Sequence, residues 1–422
     1  MYRLLCASLV LVLGGCTTPW RHADYPEPSH AFIDYWPPAE HDTRLRLAVK
    51  DLIDMKGVVT SAGSEFLYKT SKPAERDAKC LAAARQRNVV IVGKTNTTEL
   101  AVVVSGMNEY FGTPRNPLGR RQNLVPGGSS CGSAVAVARG MADVAFGTDT
   151  AGSIRVPAAC CGVYGLKTTF GLVPIEGVYP IAPNQLDTVG PMAKDLPHLV
   201  EGMDLLQPGF AAEYRRVSAA APRASRIRVG RLYLAGTDPK VDEAVDRALA
   251  ATGFTVVKMD DVFRDKWIQA QKDAATIAAV CAWVYDEKFR HESGVTYRTK
   301  VVVALGQLEY HTAYKDALRR QAQWQKEMAA TLKAVDFIAL PTLQTLPPAI
   351  PFLRGTIAFE QHFLGKQNTA GVNLAGVPAL AIPVPIDNPD IPLTSLQLVG
   401  PRRGEAALIN AARLIEQARP AS

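Results

Sequence analysis

The chain predicts an α/β protein: a large mixed, mostly parallel β-sheet covered by helices on both faces. Three observations predict it. Strand-length apolar runs alternate with helix-length amphipathic stretches along most of the sequence. Of 422 residues, 47% are hydrophobic and 21% charged, globular proportions that exclude wholesale disorder and collagen-like repeats. There is no internal repeat and no clean linker after residue 42, so residues 43–422 read as one domain.

The elements follow in order. Leu45, Leu47 and Val49 alternate with Arg46, Ala48 and Lys50, a strand ending at Lys50. Ala74 to Arg87 reads as a helix, and Asn88 to Val92 as a buried strand closed by Gly93-Lys94-Thr95. That closing triplet is no phosphate loop, because Asn88 stands where the motif needs its first glycine. Gly127 to Arg139 is a glycine-rich turn entering an alanine-rich helix. Ala142 to Gly147 is a strand followed by a turn of small residues and a second helix start at Ser153. Farther on come a strand through Ile227, Val229 and Leu232, a helix from Asp242 to Ala251, and a strand from Phe254 to Val257. Long amphipathic stretches occupy Trp267 to Leu332; Asp336 to Pro341 and Ala379 to Pro383 are strands, and Ala406 to Ala418 is the last helix.

Residues 1–15 read as an export signal rather than as part of the fold. Arg3 is followed by an apolar run from Leu4 to Leu13, too short to remain as a membrane-spanning helix. Leu13-Gly14-Gly15-Cys16 looks like a bacterial lipobox, which makes Cys16 a lipidation site and residues 16–42 a lipid-anchored tether. Thr17 and Thr18 follow, with no Asp after Cys16. The expected location is the bacterial cell envelope, at the outer membrane facing the periplasm. Of the seven cysteines, Cys80, Cys131, Cys160, Cys161 and Cys281 remain after processing and modification. No CxxC or His-rich spacing accompanies them, so buried free thiols are expected in place of a zinc site or a disulfide framework. Lys and Arg number 47 against 40 Asp and Glu, a net charge of +7. No dense basic run with interleaved aromatics appears, and nucleic-acid binding is not expected.

The chemistry is concentrated between residues 123 and 169. Ser129 and Ser153 stand at two helix starts, each in a glycine-rich turn fed by a strand. Free backbone N–H groups at such turns can hold a developing oxyanion, and small residues let a carbonyl approach the main chain. Serine is also an ordinary helix cap, so two caps are the plain alternative. A nucleophilic serine needs a base. Gly128-Ser129-Ser130-Cys131-Gly132 fits GxSxG with Ser130 as nucleophile, for which His198, His291, His311 and His362 are the downstream candidates. None of them follows a convincing strand in a glycine-rich loop. A neutral lysine can serve instead, and Lys50 at the end of an apolar strand is placed for it.

The stretch Gly127-Gly128-Ser129-Ser130-Cys131-Gly132, followed by Gly147-Thr148-Asp149-Thr150-Ala151-Gly152-Ser153-Ile154-Arg155-Val156-Pro157, resembles the amidase signature family. The likeness continues in Ala48-Val49-Lys50-Asp51, in Gly165-Leu166-Lys167-Thr168, in Asn373-Leu374-Ala375-Gly376 and at Gln397. It is strong over 45–205, recognisable over 335–418 and weak between; 205–330 is the expected substrate-specificity region. The resemblance implies the family's fold and an amidohydrolase that cleaves a small-molecule carboxylic amide, or an ester. It implies Ser153 as acyl-forming nucleophile, Ser129 as bridging proton relay, and Lys50, not Lys56, as base. It also implies an oxyanion hole from the N–H groups of Thr150, Ala151, Gly152 and Ser153, with Ser130, Asp149 and Arg155 orienting the triad. No metal and no organic cofactor is implied. Two departures stand out: Ala151 and Cys131 both occupy positions where the family usually has glycine. Export argues against the family's tRNA-dependent amidotransferase role, since that substrate is cytoplasmic. A non-catalytic lipoprotein of decayed amidase fold is the other alternative.

Overall fold

The computed structural model describes residues 28–119, 123–352 and 356–418. The expected signal 1–15, Cys16 and the first part of the tether lie outside the described residues. Eleven strands are described: β1 (Phe32–Tyr35), β2 (Leu45–Lys50), β3 (Val89–Thr95), β4 (Val144–Asp149), β5 (Tyr164–Lys167), β6 (Thr188–Ala193), β7 (Arg228–Arg231), β8 (Thr255–Lys258), β9 (Phe337–Pro341), β10 (Ala379–Pro385) and β11 (Leu393–Val399). They form one sheet in the order β1-β3-β2-β4-β6-β5-β10-β11-β9-β7-β8.

The mixed, helix-covered sheet is the one expected, but it is not mostly parallel. Among the described residues four strand pairings are parallel, β2 with β3 and β4, and β7 with β8 and β9. Six are antiparallel. Alternating strand and helix gives parallel neighbours on both flanks of the sheet, where a crossover is needed. Each antiparallel pairing involves β1, β5, β6 or β11, none of which stands out as a strand in the sequence; β5 and β6 carry glycine or proline. β10 and β11 form an antiparallel ladder running from Ala379 opposite Val399 to Pro385 opposite Leu393.

Side-chain alternation separates two cores. Leu47, Val49, Phe146, Leu380 and Leu398 face one cluster, closed by the Leu196–Leu206 and Glu405–Gln417 helices. Ala48, Ala145 and Ala381 face the other, where the Cys131–Ala138 and Arg155–Cys161 helices pack. Alanines on this second face let those two short helices sit close against the sheet, and their N-termini carry the candidate serines.

Three boundaries move. Phe32–Tyr35 lies within the expected tether 16–42 yet is an edge strand antiparallel to β3, with Ala31 and Phe32 buried. The chain is therefore part of the folded body well before residue 43. Ala74–Arg87 is helical only over Lys79–Leu81 and Ala82–Gln86, because Ala74 exchanges backbone hydrogen bonds with Gly57 and Val58. The amphipathic region resolves into the helices Asp261–Asp286, Tyr297–Thr312 and Tyr314–Ala334. Asp260 opens the first by accepting from the Phe263 N–H at 2.7 Å. Among the described residues no helix is long and apolar enough to cross a membrane.

Candidate active site

Lys50 closes β2 on the face that Ala48 shares, and the parallel pairing of β2 with β4, with Val49 opposite Phe146, brings it beside the C-terminal half of β4. Its Nζ lies 2.7 Å from Ser129 Oγ and 2.8 Å from Thr148 Oγ1. Lys50 and Ser129 are fully buried. Burial disfavours the ammonium form and pushes the Lys50 pKa down to about 7, outweighing the nearby Asp149 and Asp187. Lys56, by contrast, is exposed.

Ser129 and Ser153 belong to adjoining turns, for the Ser130 N–H donates to the Ser153 carbonyl at 3.1 Å. The turn after β4 is held at both ends. Asp149 accepts from the Ile154 N–H at 3.1 Å and pairs with Arg155, whose Nη2 lies 2.9 Å from Oδ1. Arg155 spends its remaining donors on the Thr369 carbonyl, Gln397 Oε1 and Asn373 Oδ1. Burial opposes the Asp149 carboxylate, but the adjacent guanidinium prevails and holds its pKa at about 2. Thr150 Oγ1 donates to Asp187 Oδ1 at 2.7 Å, and Asp187 in turn accepts the N–H groups of Ile181 and Ala182.

Within that turn Gly152 has φ +140°, and a Cβ there would lie 2.2 Å from Thr369 Oγ1. Ala151 takes no positive φ, so its methyl group does not strain the backbone. The N–H groups of Ala151, Gly152 and Ser153 donate to no acceptor among the described residues. Thr150, Ala151 and Ser153 line a cavity of about 660 Å³, walled largely by apolar side chains of the Asp261–Asp286 helix. Ser153 as a whole residue is half-buried there.

Ser130 is buried, with its hydroxyl donating to the Thr148 carbonyl at 3.3 Å. None of the four downstream histidines reaches it: His198 pairs with Asp195, and His291, His311 and His362 are exposed. Cys131 is buried away from the cavity lining, its Sγ facing the Asn96 carbonyl at 3.7 Å, and burial pushes its pKa up to about 12. Cys80, Cys160, Cys161 and Cys281 are likewise buried free thiols. No group of three or more His, Cys, Asp or Glu gathers as metal ligands would among the described residues. The residue-by-residue reading missed Thr148 and Asp187 as partners of the site, and Thr369 as the group that sets the room at Gly152. Thr148 lies inside the motif itself, two residues along β4 from Phe146; the other two carry no local signal.

A mixed sheet bearing a buried lysine–serine pair beside a turn of unused N–H groups defines a hydrolase site. The chain belongs to the amidase family, whose model, described as Amidase, matches residues 45–409. It is a hydrolase acting on carbon–nitrogen bonds. It is 35% identical over 398 residues to 2-amino-5-chloromuconic acid deaminase of Comamonas testosteroni, covering 88% of this chain and 81% of that protein. It is 34% identical over 409 residues to one component of the glutamyl-tRNA(Gln) amidotransferase of Halobacterium salinarum, covering 88% of this chain and 94% of that protein. The solved structure of 6-aminohexanoate cyclic dimer hydrolase superposes with TM-score 0.76 at 25% identity, covering 89% of this chain and 85% of that one.

Proposed function

We propose that the protein hydrolyses a small-molecule carboxylic amide through an acyl-Ser153 intermediate, with Ser129 as relay and Lys50 as base. The observation that carries this reading is the 2.7 Å contact between Lys50 Nζ and Ser129 Oγ at a position closed to solvent. With Lys50 neutral, the Ser129 hydroxyl donates to Nζ and accepts the proton of Ser153. Ser153 Oγ then attacks the substrate carbonyl carbon. The carbonyl oxygen gains charge beside the N–H groups of Thr150, Ala151, Gly152 and Ser153. Collapse breaks the C–N bond, and the proton returns through Ser129 to the departing amine. Water repeats the sequence on the acyl ester, releasing the acid and restoring Ser153. Asp149 and Arg155 shape the turn, and Ser130 holds the end of β4. The lipobox-like Leu13-Gly14-Gly15-Cys16 supports the further reading that this hydrolase works in the cell envelope, anchored through Cys16.

Fluorophosphonate labelling followed by mass spectrometry of the labelled peptide tests the assignment. The adduct belongs on Ser153. Ser153→Ala abolishes labelling, Ser129→Ala slows it severely and Ser130→Ala less so, and amide turnover falls by roughly 10⁴–10⁶ when the nucleophile is lost. An adduct on Ser130 would favour the GxSxG esterase, and one on Cys131 would overturn the serine mechanism.

A further inference from the structure

The wall of the cavity that Ser153 lines contains, among the described residues, a single ionisable side chain, Lys272. Lys272 lies in the cavity-facing stripe of the Asp261–Asp286 helix, where Ile268, Ala275, Ala279 and Ala282 recur at helical spacing. Lys272 is exposed, so its methylene stem can lie along this stripe while the ammonium stands at the solvent-facing mouth of the cavity. It forms no ion pair among the described residues. Its neighbour Asp273 is buried and already taken by Arg320, with Nη2 at 2.7 Å and Nε at 2.8 Å. Most other polar groups of the wall are committed: Thr150 to Asp187, Thr369 to the Ala151 carbonyl, Gln271 to the Gln367 carbonyl and the Gly371 N–H. Gln367, itself buried, leaves its side-chain Nε2 without an acceptor. The wall thus offers unused donors and no unused carboxylate.

The helix turn bearing Lys272 is also tied to the reacting end of the cavity. Gln271 binds both sides of Thr369, whose Oγ1 donates to the Ala151 carbonyl at 2.6 Å and whose carbonyl accepts from Arg155 at 2.9 Å. Two short links therefore set where Lys272 stands relative to the Ser153 turn.

We propose that Lys272 determines specificity for amides carrying a carboxylate, separated from the scissile carbonyl by a short apolar stem. The carboxylate pairs with Lys272 at the cavity wall while the stem packs on Ala275, Ala279 and Val302. This assignment rests on the hydrolase reading above, and binding tests it apart from turnover. Adipamate and hexanamide, matched in length and differing in the terminal carboxylate, are titrated into the mature full-length Ser153→Ala protein by calorimetry. Adipamate binds roughly fivefold or more tightly, as expected for a pair formed at a partly open site. The preference shrinks as salt is raised, survives Lys272→Arg and vanishes in Lys272→Met. Equal binding of the two amides, or a preference unchanged in Lys272→Met, overturns the assignment. Preferential binding of adipamate by a protein that, with Ser153 intact, cleaves neither amide and takes no fluorophosphonate on Ser153 would uphold Lys272 while rejecting the nucleophile.

Discussion

Asp149 and Arg155 form an ion pair in which neither side chain reaches solvent, with Arg155 Nη2 2.9 Å from Asp149 Oδ1. The pair brackets the turn that carries Ser153, so the path of the chain there is tied to a buried charge. Every polar partner Arg155 has beyond Asp149 comes from the C-terminal part of the chain, at Thr369, Asn373 and Gln397.

Removing one partner strands the other. Arg155→Met leaves a buried carboxylate unpaired and should lower stability by about 3–5 kcal/mol, read from urea unfolding. The double variant Asp149→Asn/Arg155→Met should lose less stability than the sum of the two single changes, because no lone charge remains. With its folded pKa at about 2, below the ordinary 3.8, Asp149 contributes stability that is present above pH 3.8 and is lost as pH falls through 2. The Asp149→Asn variant should show a weaker acid dependence in that window.

The proposed base, Lys50, makes a pH prediction. A Lys50 pKa near 7 means the amine is charged below that value and able to accept a proton above it. Turnover should rise through pH 7 toward mild alkalinity, and Lys50→Ala and Lys50→Arg should both abolish it, the second because arginine stays protonated. Lys167 has the same depressed pKa of about 7, from burial and the neighbouring Arg155. It donates to the Thr168 and Val377 carbonyls, far from Ser129 in the bonding pattern. Lys56→Ala should leave most turnover intact. A profile whose midpoint moved with Lys167→Met rather than depending on Lys50 would show that the wrong lysine carries the proton.

Adjacent residues of the turn should respond oppositely. Gly152→Ala places a Cβ against Thr369 Oγ1 at a φ that L side chains rarely adopt, and should cost at least ~1–3 kcal/mol together with most activity. Ala151→Gly meets no such barrier and should keep turnover within a few-fold, as measured by kcat/KM on a common amide.

Location is tested at Cys16. Cys16→Ala should release the protein into the soluble periplasm or leave its signal unprocessed. Membrane fractionation unchanged by the substitution would refute the anchor.

Much of the candidate site was legible because its units are local. The strand to Lys50, the glycine-rich turns and the two helix starts are each contained in a dozen or so residues, and the motif names Ser129, Ser153 and Lys50 through family resemblance. The cysteines were legible as buried thiols for a similar reason, since they lie in apolar surroundings without ligand spacing. The parallel share of the sheet was misjudged because β1, β5, β6 and β11 were not read as strands, and every antiparallel pairing involves one of them; in β5 and β6 glycine or proline interrupts the period-two signal on which strand assignment depends.

By itself, then, the sequence determined the strand–turn–helix units and the residue types presented at their ends, because apolar periodicity and turn chemistry act between near neighbours. The tertiary structure decided what those residues can do. Lys50 meets Ser129 and Thr148 across separations of 79 and 98 residues. Its proton affinity falls because elements from several parts of the chain exclude water around it. Arg155 finds partners more than two hundred positions away, and Lys272 becomes a feature of the Ser153 cavity only when the Asp261–Asp286 helix is tied to Gln367 and Gly371. Burial and charge pairing are properties of the assembled surroundings, and no local stretch of sequence contains them.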